Sequence, residues 1–190
     1  CIVSPPSLMD DVDAVQAQIA RNMLESGDWV TARLNGVAYL EKAPLKYWMI
    51  AVSYLIFGVH DWAARIPIAL AAILLAWVTC RFAAWAFSGT AGFAAGLVVA
   101  TSAGLFLFTR ILIPDVVLTL AITVAMWSLL RALDEDEPNP RWWALLLAVS
   151  IACGLLLKGL IAALFTCGAG GVYLLATRQL FSRRTWRRLR

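Results

Sequence analysis

Between Ile66 and Thr177 the chain is almost continuously apolar. Apolar runs cover 66–87, 91–109, 116–133, 142–157 and 159–177, parted by short turns such as Ser88-Gly89-Thr90 and "DEDEPNPR" at 134–141. About 20 apolar residues in a helix rise about 30 Å, the depth of bilayer hydrocarbon, where backbone groups must be satisfied internally. The expected fold is therefore all-α, a polytopic transmembrane helix bundle of about five spans. Composition agrees: 62% of residues are hydrophobic and 15% charged, against about half and a quarter in soluble domains. Mean hydropathy is +0.77.

The net charge of +4 is not a nucleic-acid signal. Six of the sixteen basic residues fall in the last thirteen positions (Arg178, Arg183, Arg184, Arg187, Arg188, Arg190), directly after an apolar run. Such a cluster marks a cytoplasmic flank and touches anionic membrane lipids. Cys80, Cys153 and Cys167 lie within apolar runs and read as small buried hydrophobes rather than a disulfide framework. Cys1 stands where an initiator Met would, and Arg190 follows an apolar run closely. The expectation is a piece of a longer protein, lacking a membrane helix ahead of Cys1 and more after Arg190.

Residues 1–62 are different in kind. They hold seven of the twelve acidic residues and no apolar run long enough to span. Val15, Ile19 and Met23 recur at helical spacing, and Gly27 suits a C-cap. Leu45 to Gly58, with Tyr47, Trp48, Tyr54 and Phe57, suits a helix lying at the interface. The region 1–62 reads as a loop with two membrane-surface helices, and 63–190 as the transmembrane bundle with a basic cytoplasmic tail. Counting spans back from that tail puts Asp10, Asp11, Asp13, Glu41, Lys42, Asp115 and Lys158 on one side, the extracytoplasmic side.

Several of these residues suggest chemistry, each with a plain structural alternative. In "SLMDDVDA", Ser7 suits a helix cap and acids suit the positive helix end; one carboxylate is equally placed to be a general base or metal ligand. In "LEKAPLKYW", Lys42 and Lys46 suit lipid head groups, while Lys42 with Glu41 also suits a phosphate and a cation or hydroxyl. In "TRILIPDVVL", Asp115 follows Pro114 at a span's start, fitting either a cap or a cavity-facing acid. Lys158 in "LLLKGLIAAL" is a lone charge between apolar runs that snorkels or faces the same cavity. His60 is the sole histidine.

The stretch "IARNMLESGDWVTARLNGVAYLEKAPLKYWMIAVSYLIFGVHDWAARIPIAL" resembles the pattern "A-x-x-M-x-x-S-G-D-W … L-N-G-x-x-Y-x-E-K-P-P-L-x-Y-W … F-G … A-x-R-x-P". That pattern belongs to membrane glycosyltransferases of the ArnT and protein O-mannosyltransferase type, with the GT-C fold. "TRILIPDVVLT" and "LLKGLIAAL" continue the likeness. The resemblance implies a multi-pass protein of the cell inner (plasma) membrane. It implies transfer of a sugar from a polyprenyl-phosphate donor to a lipid, protein or glycan hydroxyl, with inversion, on the extracytoplasmic face. It implies Asp11 or Asp13 as the loop's acidic motif, with Asp115 beside it in catalysis. Lys42 and Lys158 become donor-phosphate binders, and Glu41 a ligand for a possible divalent metal. The family's adjacent Asp-Glu falls on Val12-Asp13 here, with Asp10-Asp11 just before, and Ala43 stands at the first of two prolines. A transporter or flippase, with charges at mid-span, and a non-catalytic membrane scaffold are the rival readings.

Overall fold

The computed structural model describes residue 8 and residues 11–188. Two short strands, β1 (Arg33–Leu34) and β2 (Val37–Ala38), pair antiparallel, Arg33 opposite Ala38; the other regular elements among the described residues are helices. The chain divides into one unit up to Leu120 and a second from Ala121.

In the first unit, α1 (Asp11–Ser26) ends at Gly27, whose φ of 72° a side chain adopts only with strain. The β1–β2 hairpin follows and turns through Asn35 and Gly36, both with positive φ. Next comes α2 (Leu45–Phe57), which packs on α1. Ile19, Met23, Ala32 and Tyr47 form one buried cluster between them. A second cluster joins Ala17 and Ala20 of α1, Ile50 and Tyr54 of α2, Ala63 and Ile68 of α3, and Leu112 and Val116 farther on.

The long helix α3 (Asp61–Ala86) starts five residues before its apolar run and carries Arg65 and Pro67 in its first two turns. Pro67 has no N–H for the carbonyl of Ala63. The Ser53 hydroxyl of α2 donates to that carbonyl instead, at 2.6 Å and buried. Against α3 lies α4 (Gly89–Thr101). The contact is made by small residues: a Cβ on Gly92 would sit 2.6 Å from both Ala84 Cβ and the Cys80 carbonyl, and one on Gly96 2.8 Å from Cys80 Cβ. Close helix approach without hydrophobic driving force needs such residues in a membrane.

The expected span 91–109 is broken. Ser102 is extended (φ −68°, ψ 133°), and α5 (Ala103–Phe108) starts there. The Ser102 hydroxyl donates to the Val99 carbonyl and accepts from the Leu105 N–H. One side chain thus ends one helix and caps the next. After a short loop, α6 (Asp115–Leu133) begins.

In the second unit, the rest of α6 is followed by α7 (Pro140–Lys158), α8 (Leu160–Ala176) and α9 (Arg183–Arg188). Arg131 pairs with Glu137 of the acidic turn and stacks on Trp143, 4.9 Å from its ring centre. Arg188 donates to the carbonyls of Asp134 and Glu135. Gly170 lets α8 approach Leu129.

Three described helices are long and apolar enough to cross a membrane: α3, α6 and α7. Their large apolar side chains point outward, as Leu70, Ile73 and Trp77 do on α3 and Leu145 and Val149 on α7. A soluble protein would hide such faces; a lipid-embedded one need not.

Candidate functional site

The candidate site is built from α1, the loop ahead of α2, and the loop ahead of α6. The sequence places Glu41 and Lys42 just before α2, both exposed. The Tyr39 hydroxyl donates to Glu41 Oε2 at 2.8 Å, and that bond holds the Tyr39 phenol above its usual pKa. Beneath them Tyr47 is fully buried. Burial first, then the charges of Tyr39 and Glu41, push its phenol up as well. Lys46 is also buried, with its Nζ 4.8 Å from the Tyr47 ring centre. The Trp48 indole N–H donates to the Trp29 carbonyl at 2.6 Å and ties α2 to the preceding loop.

That preceding loop is shaped by Asp28. One carboxylate oxygen accepts from the N–H groups of Thr31 (2.9 Å) and Val30 (3.1 Å), and these bonds lower its pKa, Thr31 most. The motif "SGDW" therefore has a local structural use: it turns the chain after α1 so that the 33–38 hairpin and then Glu41-Lys42 follow.

Asp13 is placed unlike the other candidates. It is 4% exposed, on the buried stripe that α1 shares with Gln16, Ala17 and Ala20. Its Oδ2 accepts from Arg65 Nη2 at 2.8 Å, and its Oδ1 from the Leu112 N–H at 2.7 Å. Arg65 is 1% exposed. Three segments distant in sequence thus meet at one carboxylate: α1, the start of α3, and the loop that leads into α6. Asp115 opens α6 and is half-buried. Asp11 opens α1; its side chain lies outside the described set, as do Ser7 and Asp10. Lys158 ends α7 in the second unit and is exposed. His60 is exposed and stacks on Trp62, ring centres 5.8 Å apart.

The expected metal meets a poor donor set here. Among the described residues no three His, Cys, Asp or Glu side chains converge. Glu41 offers one carboxylate, already bonded to Tyr39, where Mg²⁺ or Ca²⁺ takes six or more oxygens. The described residues do not fit a cation site.

An open apolar groove of about 520 Å³ runs along α2. Trp48, Met49 and Val52 of α2 line it with Leu70 and Leu74 of α3 and Val117 of α6. It follows the helix that starts just after Glu41-Lys42.

Sequence reasoning passed over Arg65, which sat unremarked in the matched "A-x-R-x-P" stretch. The usable signal was Asp13 itself, at positions 13, 16, 17 and 20 of one helical stripe. A carboxylate on a buried stripe calls for a cation elsewhere in the chain.

Fold and site together define a polytopic membrane protein of the GT-C glycosyltransferase fold. The chain belongs to the dolichyl-phosphate-mannose-protein mannosyltransferase family, whose model matches residues 41–188. An undecaprenyl phosphate-alpha-4-amino-4-deoxy-L-arabinose arabinosyl transferase of Pseudomonas fluorescens is 33% identical over 153 residues, covering 77% of this chain and 26% of its own. Its counterpart in Proteus mirabilis is also 33% identical, over 149 residues, with 77% and 27% covered. The crystal structure of ArnT from Cupriavidus metallidurans bound to undecaprenyl phosphate matches with a TM-score of 0.84 at 30% identity, covering 92% of this chain and 32% of that one. Its apo form matches with a TM-score of 0.83. The chain spans about a quarter of the length of these curated relatives.

Proposed function

We propose that the full-length protein is an integral membrane glycosyltransferase. It takes a sugar from a polyprenyl-phosphate donor and passes it to a lipid, protein or glycan hydroxyl, with inversion at the anomeric carbon. The observation that carries this reading is the exposed Glu41-Lys42 pair, which stands in the chain just ahead of Leu45, a lining residue of the apolar groove along α2. A polyprenyl phosphate has the same order: a compact anion, then a long hydrocarbon. Family membership and the activities for which the relatives are named point the same way.

In the reaction, the acceptor oxygen attacks the anomeric carbon and the bond from that carbon to the phosphate oxygen breaks. The electron pair leaves with the polyprenyl phosphate. A carboxylate takes the acceptor's proton, with Asp11, Asp13 and Asp115 as the candidate set. Lys42 meets the phosphate as negative charge develops on the leaving oxygen, where a cation helps most. Glu41, oriented by Tyr39, accepts a hydrogen bond from the acceptor. The site lies on the extracytoplasmic face of the plasma (inner) membrane.

The test uses the full-length protein in membranes with a panel of labelled polyprenyl-phosphate sugars. Consumption of at least one donor, lost in Lys42→Ala and slowed by Val52→Trp in the groove, supports the reading. Export of the intact donor without cleavage turns the assignment to a flippase, and no consumption of any donor sinks it.

A further inference from the structure

Asp13 is a doubtful base on the geometry just described. A general base must reach the hydroxyl it deprotonates, and this carboxylate is buried with both oxygens engaged. Taking a proton would also cancel the negative charge that faces the Arg65 guanidinium. A buried charged pair is costly to break from either side.

What the pair does control is position. Leu112 is three residues ahead of Asp115 and 1% exposed. Its N–H is fixed by Asp13, which is fixed in turn by Arg65 near the N-terminus of α3. Pro114 is buried next to Asp115, and its carbonyl accepts from the Leu118 N–H at 2.8 Å. The stretch from Leu112 to Asp115 therefore has few ways to move without breaking a buried bond. α1 is held from the same carboxylate, so Asp11 and Asp115 are both indexed to one point.

We propose that Arg65 and Asp13 form the positioning element of this site. They set the placement of Asp115 against the start of α1, and the proton-accepting role falls to Asp11 or Asp115. This rests on the glycosyltransferase reading for its consequence, but not for its geometry. Misplacing a catalytic group by about 1 Å costs on the order of a hundredfold in rate.

Two measurements on the full-length protein test it. The first is hydrogen exchange over residues 109–115 in nanodiscs. Arg65→Gln and Asp13→Asn each speed exchange of the Leu112 amide by about tenfold or more, and Arg65→Lys restores part of the protection. Unchanged exchange in both variants overturns the proposal, whatever the protein's activity. The second is kinetic, where a polyprenyl-phosphate sugar is turned over. Arg65→Gln lowers kcat by about a hundredfold while donor KM stays within about twofold. Adding Asp13→Asn to Arg65→Gln costs less than about threefold more, because the two act as one unit. If Asp13→Asn instead abolishes turnover while Arg65→Gln is mild, Asp13 is the base and the proposal is wrong, with the glycosyltransferase reading intact. If wild type consumes no donor, that reading falls, and hydrogen exchange alone decides the proposal.

Discussion

Ser53 and Ala63 are joined by a 2.6 Å hydrogen bond that exists because of a third residue, Pro67. Pro67 is the seventh residue of α3, where a proline strips one carbonyl of its helical partner. The surface helix α2 supplies the missing donor, so the groove's two walls are linked by a bond that the proline made necessary. Ser53→Ala should leave that buried carbonyl unsatisfied and cost about 1–3 kcal/mol. Pro67→Ala on the Ser53→Ala background should regain much of this, since an N–H returns. Thermal unfolding of the purified protein checks both. Equal loss in single and double variants would contradict the exchange.

The α3–α4 contact makes a second prediction. Gly92→Leu should destabilise by about 1–3 kcal/mol or more, because backbone and Ala84 stand where the side chain must go. Gly89→Ala is the control, since nothing lies within 4 Å of a Cβ there, and its melting temperature should stay within about 1–2 °C of wild type.

Alkaline pH should loosen the α1–α2 layer. Tyr54 is raised to about 12 by burial first and then by Asp61, while an unfolded tyrosine titrates near 10. The folded protein therefore holds the phenolic proton more tightly than the unfolded chain. The contribution is fully present below about pH 10 and is lost as pH rises from there toward 12. Tyr47 shifts in the same direction. Phenolate absorbance near 295 nm should show these two groups titrating late, together with loss of structure. Early titration of both would contradict their burial.

Much of this was legible in the sequence, for reasons that differ by region. The apolar run at 116–133 was visible because lipid demands long apolar runs, and it lies within α6. The break at Ser102 was not, because a serine inside an apolar run reads equally as a tolerated polar residue; only its two hydrogen bonds show it acting as a cap. The 33–38 hairpin was missed although Asn35-Gly36 is a strong turn signal, because strands of two residues carry no alternation to read. At the site, Glu41-Lys42 stood out by adjacency. The Asp13–Arg65 pair did not, since its partners lie 52 residues apart and become neighbours only when α1 and α3 both pack on α2.

The positioning pair also bears on stability. Removing one member of a buried ion pair costs about 3–5 kcal/mol, so Arg65→Ala should be far more damaging than Arg21→Ala. Arg21 pairs with Glu25 at the surface, where such a pair is worth under about 1 kcal/mol. Expression-corrected melting temperatures separate the two.

The most direct measurement is sugar release from a polyprenyl-phosphate donor by the full-length protein, wild type beside Lys42→Ala, Asp11→Asn and Asp115→Asn at matched expression. The account predicts release by wild type, a large loss in Lys42→Ala, and near-abolition in at least one of the two aspartate variants. Undiminished release in all three would contradict it, leaving the loop acids as helix caps and the lysine as a lipid anchor.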